Sequence, residues 1–179
     1  LVFNSEVSMT NLSNEVRDED GNRVECFALY NLIGAGVTIA GVAASADGKA
    51  VITYSNGART AGSPLNFGWS TSNDPAVLKL TVTGDAPSVA DNDLTTSAAA
   101  TMTFDVDDVT GDSGADFIAN GYIRIGGSNV SATKTGAGTL LANNVITCAV
   151  NPFRLKEGTL LLGKSVTVSP DSGFAFDGG

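Results

Sequence analysis

Histidine is missing from the 179-residue sequence, and its absence removes the side chain that most often acts as a general base near neutral pH. Histidine is also the commonest protein ligand for transition metals, so metal sites built on imidazole are excluded. A serine or cysteine nucleophile has no histidine to activate it. The sequence therefore predicts a protein that is not an enzyme. One alternative stays open, a polysaccharide-active β-helix enzyme that works through paired carboxylates.

Charged residues make up only 16% of the sequence, and acidic ones prevail, with a formal net charge of −9. A chain of this charge repels phosphate backbones, so we expect no nucleic-acid partner. Exposed helices normally carry many glutamate, lysine and arginine residues, which are scarce here. The 21 glycines and the frequent threonine, serine, valine and asparagine indicate an all-β protein instead.

Cysteine occurs only as Cys26 and Cys148, two residues too few and too far apart for a cysteine-rich zinc site. Two interpretations stay open. One is a single long-range disulfide between them, which would suit an exported protein. The other is burial of each as a small apolar residue. The sequence alone does not decide, because a disulfide needs Cα atoms within about 7 Å of each other.

Long apolar runs are also missing, since glycine, threonine or asparagine interrupts every apolar stretch before it reaches the ~18 residues of a membrane span. We therefore expect no membrane span in this chain. The sequence starts at Leu1 without a methionine and without a charged and apolar leader. We expect either that a signal has been removed or that the chain is a repeat unit or segment of a larger exported protein.

What is present is a series of short segments in which apolar and polar residues alternate. The clearest are residues 78–83 (LKLTVT) and 101–106 (TMTFDV), where a period of two places one face on a core. Asp-Gly and Asn-Gly turn signals predict a β-hairpin over Gly36 to Tyr54. Residues 84–100, rich in small and polar side chains, predict a long surface loop.

The tetrapeptide Gly-Thr-Leu-Leu occurs twice, beginning at Gly138 and at Gly158. This separation is about one coil of a parallel β-helix, which closes in roughly 20 to 25 residues. The repeat therefore favours an all-β parallel β-helix or solenoid, which we expect to form a single elongated domain over residues 1–179. A β-sandwich of the pilin or jelly-roll type is the alternative.

The same region has the form Lys-Thr-Gly-x-Gly-Thr-Leu, then an asparagine pair, then a second Gly-Thr-Leu. The positions concerned are Lys134, Thr135, Gly136, Gly138, Thr139, Leu140, Asn143, Asn144, Gly158, Thr159 and Leu160. Residues 133–163 thereby resemble the autotransporter-associated β-strand repeat of bacterial secreted and surface proteins. One departure is the segment 145–153 (VITCAVNPF), with Pro152, where the repeat usually has an aromatic residue and Gly-Gly. The resemblance implies a right-handed parallel β-helix, a secreted protein and no catalysis within the repeat.

Five aspartates surround two glycines in the segment 104–116 (FDVDDVTGDSGAD): Asp105, Asp107, Asp108, Asp112 and Asp116. Calcium takes about six to eight hard oxygen ligands and is often held by acidic, glycine-containing turns. The segment is thus a candidate calcium site, the one cofactor that the sequence suggests. Its spacing is not that of an EF-hand. The alternative is a solvated acidic loop that ends a strand.

Both ends of the sequence have the composition of apolar β-strands, with Leu1, Val2 and Phe3 at one end and Phe174 and Phe176 at the other. An uncapped strand edge can pair with any extended segment. We therefore expect these residues to mediate association with copies of the same chain or with neighbouring repeats.

Taken together, these features predict a non-catalytic structural or adhesive protein that lies outside the cell, at a bacterial surface, and packs end to end. An alternative is a subunit of an extracellular filament, or a virion or fibre component, in which a terminal strand inserts into the sheet of its neighbour.

Overall fold

The computed structural model describes residues 2–3, 7–13, 28–33, 37–43, 50–61, 65–67, 76–96, 100–126, 131–163 and 173–177. These residues form β-strands and turns, and none of them is helical. Accordingly, the part of the chain that is described offers no long apolar helix that could cross a membrane. The all-β prediction is confirmed.

The strands are short and follow one another along the described chain. They are β1 (Val2–Phe3), β2 (Val7–Ser13), β3 (Ala28–Ile33), β4 (Val37–Ala43), β5 (Ala50–Ser55), β6 (Arg59–Ala61), β7 (Leu65–Phe67), β8 (Ala76–Thr83), β9 (Ser88–Ala90), β10 (Leu94–Thr96), β11 (Ala100–Val106), β12 (Phe117–Ala119), β13 (Ile123–Ile125), β14 (Ser131–Thr135), β15 (Thr139–Ala142), β16 (Ile146–Cys148), β17 (Phe153–Leu155), β18 (Thr159–Leu162) and β19 (Phe174–Phe176).

The described strands form three sheets in which neighbouring strands are parallel. Sheet A has the order β1-β3-β5-β8-β11-β14-β17-β19, sheet B the order β2-β4-β6-β9-β12-β15-β18, and sheet C the order β7-β10-β13-β16. From β5 to β18 the chain passes through sheets A, B and C in rotation and returns each time one strand further along. We call one such passage a coil. This topology is that of a solenoid-like parallel fold, and it does not fit the antiparallel sheets of a sandwich.

The repeated tetrapeptide occupies equivalent positions on successive coils. Thr139 pairs with Thr159, and Leu140 pairs with Leu160, where β15 and β18 lie side by side in sheet B. Parallel pairing at a constant offset requires that the chain travel once around the coil between the two copies. The interpretation of the repeat as a coil repeat is therefore confirmed.

The hairpin predicted over Gly36 to Tyr54 is wrong. Strand β4 lies in sheet B between β2 and β6, whereas β5 lies in sheet A between β3 and β8. The Asn56-Gly57 turn that follows β5 does adopt positive φ angles of 52° and 76°, as Asn-Gly turns often do. It leads the chain into a different sheet, because a positive φ bends the chain without specifying the next partner.

The surface loop predicted for residues 84–100 is also wrong, since this segment contains β9 and β10. Ala90 and Leu94 are fully buried. Both strands span only three residues, too few to show a period-two pattern clearly, and small residues suit the tight interior between sheets B and C.

The core consists of inward side chains stacked from coil to coil. Leu94, Ile123 and Ile146 are register partners in sheet C and are all buried. In sheet A, the ring of Phe153 lies between those of Phe104 and Phe174, with centroids 5.8 and 6.0 Å apart. In sheet C the register partners thus bury similar groups, whereas in sheet A Phe153 is the register partner of Phe174 but not of Phe104, which pairs with Lys134. Each coil covers the face of the one before.

Buried polar groups near β5 are mostly paired. The hydroxyl of Tyr54 lies 2.8 Å from that of Thr60, which donates to Oδ1 of Asn92 at 2.7 Å. Burial raises the pKa of Tyr54 far above its ordinary value, so this hydroxyl stays protonated. The tyrosine ring also packs edge-on against Phe117, with centroids 5.1 Å apart. This network ties three successive coils together.

Ser88 is an exception, because its hydroxyl is fully buried and has no hydrogen-bond partner among the described residues. An unsatisfied buried hydroxyl destabilises the folded state, whereas removal of a paired one leaves its partners unsatisfied. We predict that Ser88→Ala leaves the free energy of unfolding unchanged or raises it by up to about 1 kcal/mol. The matched substitution Thr60→Val should lower it by roughly 1 to 3 kcal/mol. Urea denaturation of both variants measures this, and equal losses of stability would contradict the assignment.

Candidate functional site

The turns that lead from sheet A into sheet B, here called the A–B corners, recur on every coil from β5 onward. They follow β5, β8, β11, β14 and β17. Each contains a glycine with a positive φ: Gly57, Gly84, Gly111, Gly136 and Gly158. Backbone hydrogen bonds join successive corners, for example from Thr159 N to Gly138 O at 3.2 Å. The glycine-rich motif noted in the sequence is therefore a corner that repeats.

The corners after β11, β14 and β17 approach their neighbours too closely for a side chain at some positions. A Cβ at Gly158 would collide with the carbonyl oxygens of Gly136 and Gly138, and a Cβ at Gly138 would collide with the carbonyl of Asp107. Glycine is therefore required at both positions for space, and at Gly158 also for its φ of 69°.

Lys134 is fully buried beside these corners. It lies in β14 at an inward position, with Phe104 of β11 and Leu155 of β17 as its register partners. A lysine is almost never fully buried without compensating partners. Its surroundings must therefore satisfy an ammonium group in what is otherwise an apolar stack.

The Nζ atom of Lys134 donates hydrogen bonds to three backbone carbonyls. The acceptors are the oxygens of Thr135 at 2.8 Å, Gly136 at 2.7 Å and Glu157 at 3.2 Å. Thr135 ends β14 and Gly136 begins the corner after it, whereas Glu157 belongs to the corner after β17. Because an ammonium has three N–H donors, each donor has an acceptor. Lys134 thus joins two successive corners.

The charge of Lys134 is disfavoured by burial and favoured by its acidic neighbours. Burial lowers the pKa of Lys134 to about 8, although the carboxylates of Asp105, Asp116, Glu157 and Asp107 act in the opposite direction. At neutral pH the side chain is predominantly an ammonium, the form that can donate to all three carbonyls.

Ser131 and Lys134 have the S-x-x-K spacing of some serine acyl enzymes. In β14 the spacing has a different consequence, because side chains at odd and even positions of a strand point to opposite faces. Lys134 faces the core, and the half-buried Ser131 lies on the opposite face of the sheet. The two residues are therefore not placed as a nucleophile and its base.

Asp116 is a second buried charge at the A–B corners. Its Oδ1 accepts hydrogen bonds from the backbone N–H of Val109, the backbone N–H of Thr110 and the hydroxyl of Thr110, each at 2.9 Å. Its Oδ2 accepts from the backbone N–H of Thr139 on the next coil, at 2.6 Å. Burial raises the pKa of Asp116, but these hydrogen bonds outweigh that effect and place the pKa below its usual value.

Asp105 is engaged on the outer face of sheet A. Its carboxylate pairs with Nζ of Lys79 at 2.6 Å and accepts from the hydroxyl of Thr135 at 3.0 Å. Burial raises the pKa of Asp105, but the contacts with Lys79 and Thr135 and the charge of Lys134 give a net pKa below the usual value. This carboxylate connects β8, β11 and β14.

The other predicted calcium ligands lie apart from these two. Asp107, Asp108 and Asp112 are exposed in the corner after β11. Oδ1 of Asp108 accepts from the backbone N–H of Gly111 at 2.8 Å, and Oδ1 of Asp112 from that of Gly114 at 2.6 Å. Within the described ranges, no three carboxylate, cysteine or histidine groups converge as a metal site. Calcium binding at Asp105 to Asp116 therefore stays a prediction.

The asparagines of the sequence motif lie where sheet B ends. Nδ2 of Asn143 donates to Oδ1 of Asn120 at 2.9 Å, and Nδ2 of Asn120 donates to Oδ1 of Asp91 at 2.7 Å. Nε of Arg59 donates to the other oxygen of Asp91, and Asn144 donates to the carbonyl of Asn120 at 3.3 Å. These side chains form a ladder across four coils, so the asparagines act as links between coils.

The last strands of sheets A and B in the described chain present apolar side chains to solvent. Phe176 of β19 is 72% exposed, and Leu161 and Leu162 of β18 are 41% and 46% exposed. Phe174, which packs on Phe153, is half-buried. We call this region, β18 with β19, the open end.

The N-terminal residues predicted to self-associate lie at the opposite edge of sheet A. Val2 and Phe3 form β1, which pairs with β3 at the edge farthest from β19. Leu1 lies outside the described residues. The structure thus places the two predicted segments at opposite edges of one sheet.

Cys148 is buried in β16, and burial raises the pKa of its side chain to about 11. Cys26 lies outside the described residues. Pairing of Cys26 with Cys148 therefore stays a prediction, while burial of Cys148 as a small apolar residue agrees with the structure.

No family model, curated protein or solved structure matches this chain. The resemblance of residues 133–163 to the autotransporter-associated repeat therefore stays a prediction that rests on the motif alone.

The sequence alone does not reveal the roles of Lys134 and Asp116. Lys134 belongs to a recognisable motif, but the segment SATKTG offers only the small Ala132 to mark its inward face. The signal lies in the register, since Phe104 and Leu155 flank Lys134. Asp116 was one of five similar aspartates, and only its burial distinguishes it.

Asp116 should contribute stability that depends on pH. A carboxylate whose pKa is lower in the folded than in the unfolded state stabilises the fold above about pH 4 and loses this contribution as the pH falls through the folded-state value. We predict that Asp116→Asn lowers the free energy of unfolding by roughly 1 to 3 kcal/mol at neutral pH. The difference from wild type should shrink toward pH 2. The control is Asp112→Asn, an exposed carboxylate of the same corner. A difference that does not vary with pH would contradict this role.

The calcium prediction has a direct test. If the segment 105–116 holds calcium, millimolar calcium should raise the melting temperature over that in EDTA, because a ligand that binds only the folded state stabilises it. Asp108→Asn with Asp112→Asn should abolish the shift without removing Asp116. Identical melting curves in calcium and EDTA would show that the segment is merely an acidic corner.

Proposed function

We propose that this chain is a non-catalytic structural or adhesive module of an exported protein at a bacterial surface, and that it associates end to end with copies of itself. The observation that carries the proposal is the open end, where Phe176, Leu161 and Leu162 are exposed on the last described strands of two parallel sheets.

Strand edges are places where further strands add. Each edge strand carries backbone N–H and C=O groups that point away from its neighbour and pair readily with an extended partner. At the open end the core also approaches the surface, since Phe153 is buried, Phe174 is half-buried and Phe176 is exposed. A strand that covered β19 would extend both the hydrogen-bond ladder and this apolar row.

The proposed occupant of the open end is the opposite edge of a second copy. Strands β1 and β2 are the far edges of sheets A and B, and they run parallel to the strands of their own sheets. A copy docked in the same orientation therefore presents strands of the polarity that β18 and β19 require. Such a head-to-tail contact uses two different surfaces, so it yields an open filament unless its rotation closes a ring.

The remaining features support a structural role. The buried charges Lys134 and Asp116 are engaged with backbone groups of the corners. The acidic composition and the scarcity of cysteine and charged residues are compatible with an extracellular β-solenoid, and the repeat resemblance points in the same direction. Regular faces of parallel strands are better suited to binding other molecules over an extended surface than to catalysis.

End-to-end association predicts that the open end is sensitive to substitution while other exposed aromatic residues are not. Phe176→Gln should reduce assembly at least about tenfold, because it removes an apolar side chain from the contact. The control is Tyr122→Gln, which removes a ring that is 36% exposed beside β13. Deletion of Leu1 to Asn4 should match Phe176→Gln. Sedimentation velocity and electron microscopy measure assembly. If all variants assemble like wild type, or wild type stays monomeric, the proposed function is wrong in this respect.

A further inference from the structure

The coil formed by β17 and β18 is joined to the preceding coil by a compact set of contacts around one side chain. Nζ of Lys134 reaches across to the carbonyl oxygen of Glu157, and the carboxylate of Glu157 accepts from the backbone N–H of Gly136 at 3.3 Å. The backbone N–H of Lys156 donates to the carbonyl of Lys134 at 3.0 Å. These contacts run in both directions between the two corners.

In sheet B the contacts of this coil are weaker than those of the coils before it. The side chains of β18 are half-buried or exposed, whereas three of the four residues of β15 are buried. In the described residues β18 pairs in sheet B with β15 alone. Segments with few buried apolar contacts and an exposed edge are those that open locally without global unfolding.

We propose that Lys134 is a latch: its ammonium group holds residues 153–163 closed against the coil of β14 and β15, and without it this segment opens as a unit while earlier coils stay closed. The latch depends on both the positive charge and the length of the lysine side chain. Three carbonyls converge on one donor group that enters from the core side, and a shorter or apolar side chain would leave them without it. The acidic groups whose charges favour this ammonium are Asp105, Asp107, Asp116 and Glu157.

The latch concerns the order of the open end and does not depend on whether copies associate there. It has a consequence for that surface, because Leu161 and Leu162 lie in the segment that it closes. A chain with an open latch would present these residues on an unfolded segment and not on a strand.

Hydrogen–deuterium exchange of the full chain tests the latch. In Lys134→Met, which shortens the side chain by only one atom but removes its charge and donors, protection of amides in residues 153–163 should fall roughly 10- to 100-fold. Amides of residues 102–126 should keep their wild-type protection. The melting temperature is not the measure, since removal of a buried charge also removes the cost of its desolvation.

Lys79→Met is the matched control, because Lys79 lies in the same sheet but is exposed and pairs with Asp105. It should leave residues 153–163 protected. A second variant, Gly158→Ala, disturbs the latch from the other corner, since its Cβ would lie 2.7 Å from Nζ of Lys134. It should expose the same segment. Unchanged protection in both latch variants, a loss spread equally over all described coils, or the same loss in Lys79→Met would overturn the proposal.

Discussion

Stacked parallel coils must turn where backbone meets backbone, and the polar groups of those turns need partners inside the protein. At the corners after β11, β14 and β17 the separation is so small that a Cβ at Gly138 would meet the carbonyl of Asp107, and a Cβ at Gly158 those of Gly136 and Gly138. Carbonyl oxygens at the end of β14 and in the two corners that follow β14 and β17 converge in one partly buried volume. An unpaired buried carbonyl costs about as much as a lost hydrogen bond, so the fold depends on a donor there. Lys134 supplies it, with three N–H groups on one atom.

Asp116, one coil earlier, accepts hydrogen bonds from backbone N–H groups, as Lys134 donates them to backbone carbonyls. The corner after β11 is longer than the others, and its backbone N–H groups point inward and need an acceptor. The two carboxylate oxygens of Asp116 accept from Val109, Thr110 and Thr139, which spans the long corner and reaches the next coil. Lys134 and Asp116 attract each other electrostatically at these corners. The cost of burying either charge is therefore offset partly by hydrogen bonds and partly by the other charge.

Period-two alternation predicts β8 and β11 from the sequence, because buried and half-buried residues alternate over 79–83 and 102–106. The repeated tetrapeptide Gly-Thr-Leu-Leu predicts the coil, because its two copies lie one coil apart and pair in register. The pairing of strands is harder to predict from the sequence, as the wrong hairpin over Gly36 to Tyr54 shows. A turn signal marks a bend, whereas packing around the whole coil determines which strand is the partner. For the candidate site, the sequence identifies the positions of the repeated motif, but it does not show which side chains are buried or what they bind. Lys134 becomes exceptional only when Phe104 and Leu155 are seen beside it.

The residues of the motif around Lys134 form one set of contacts between successive coils. Glycines bring two corners into contact, the lysine satisfies the carbonyls that this contact buries, and the asparagines after β15 continue the links on the other side of sheet B. The glycines and the lysine require each other, because close corners without the lysine leave acceptors unpaired, and the lysine without close corners loses the carbonyl of Glu157. These contacts couple one coil to the next through groups of the chain itself. This coupling is what a structural repeat needs, since a single coil cannot bury its own face and gains stability only through its neighbours.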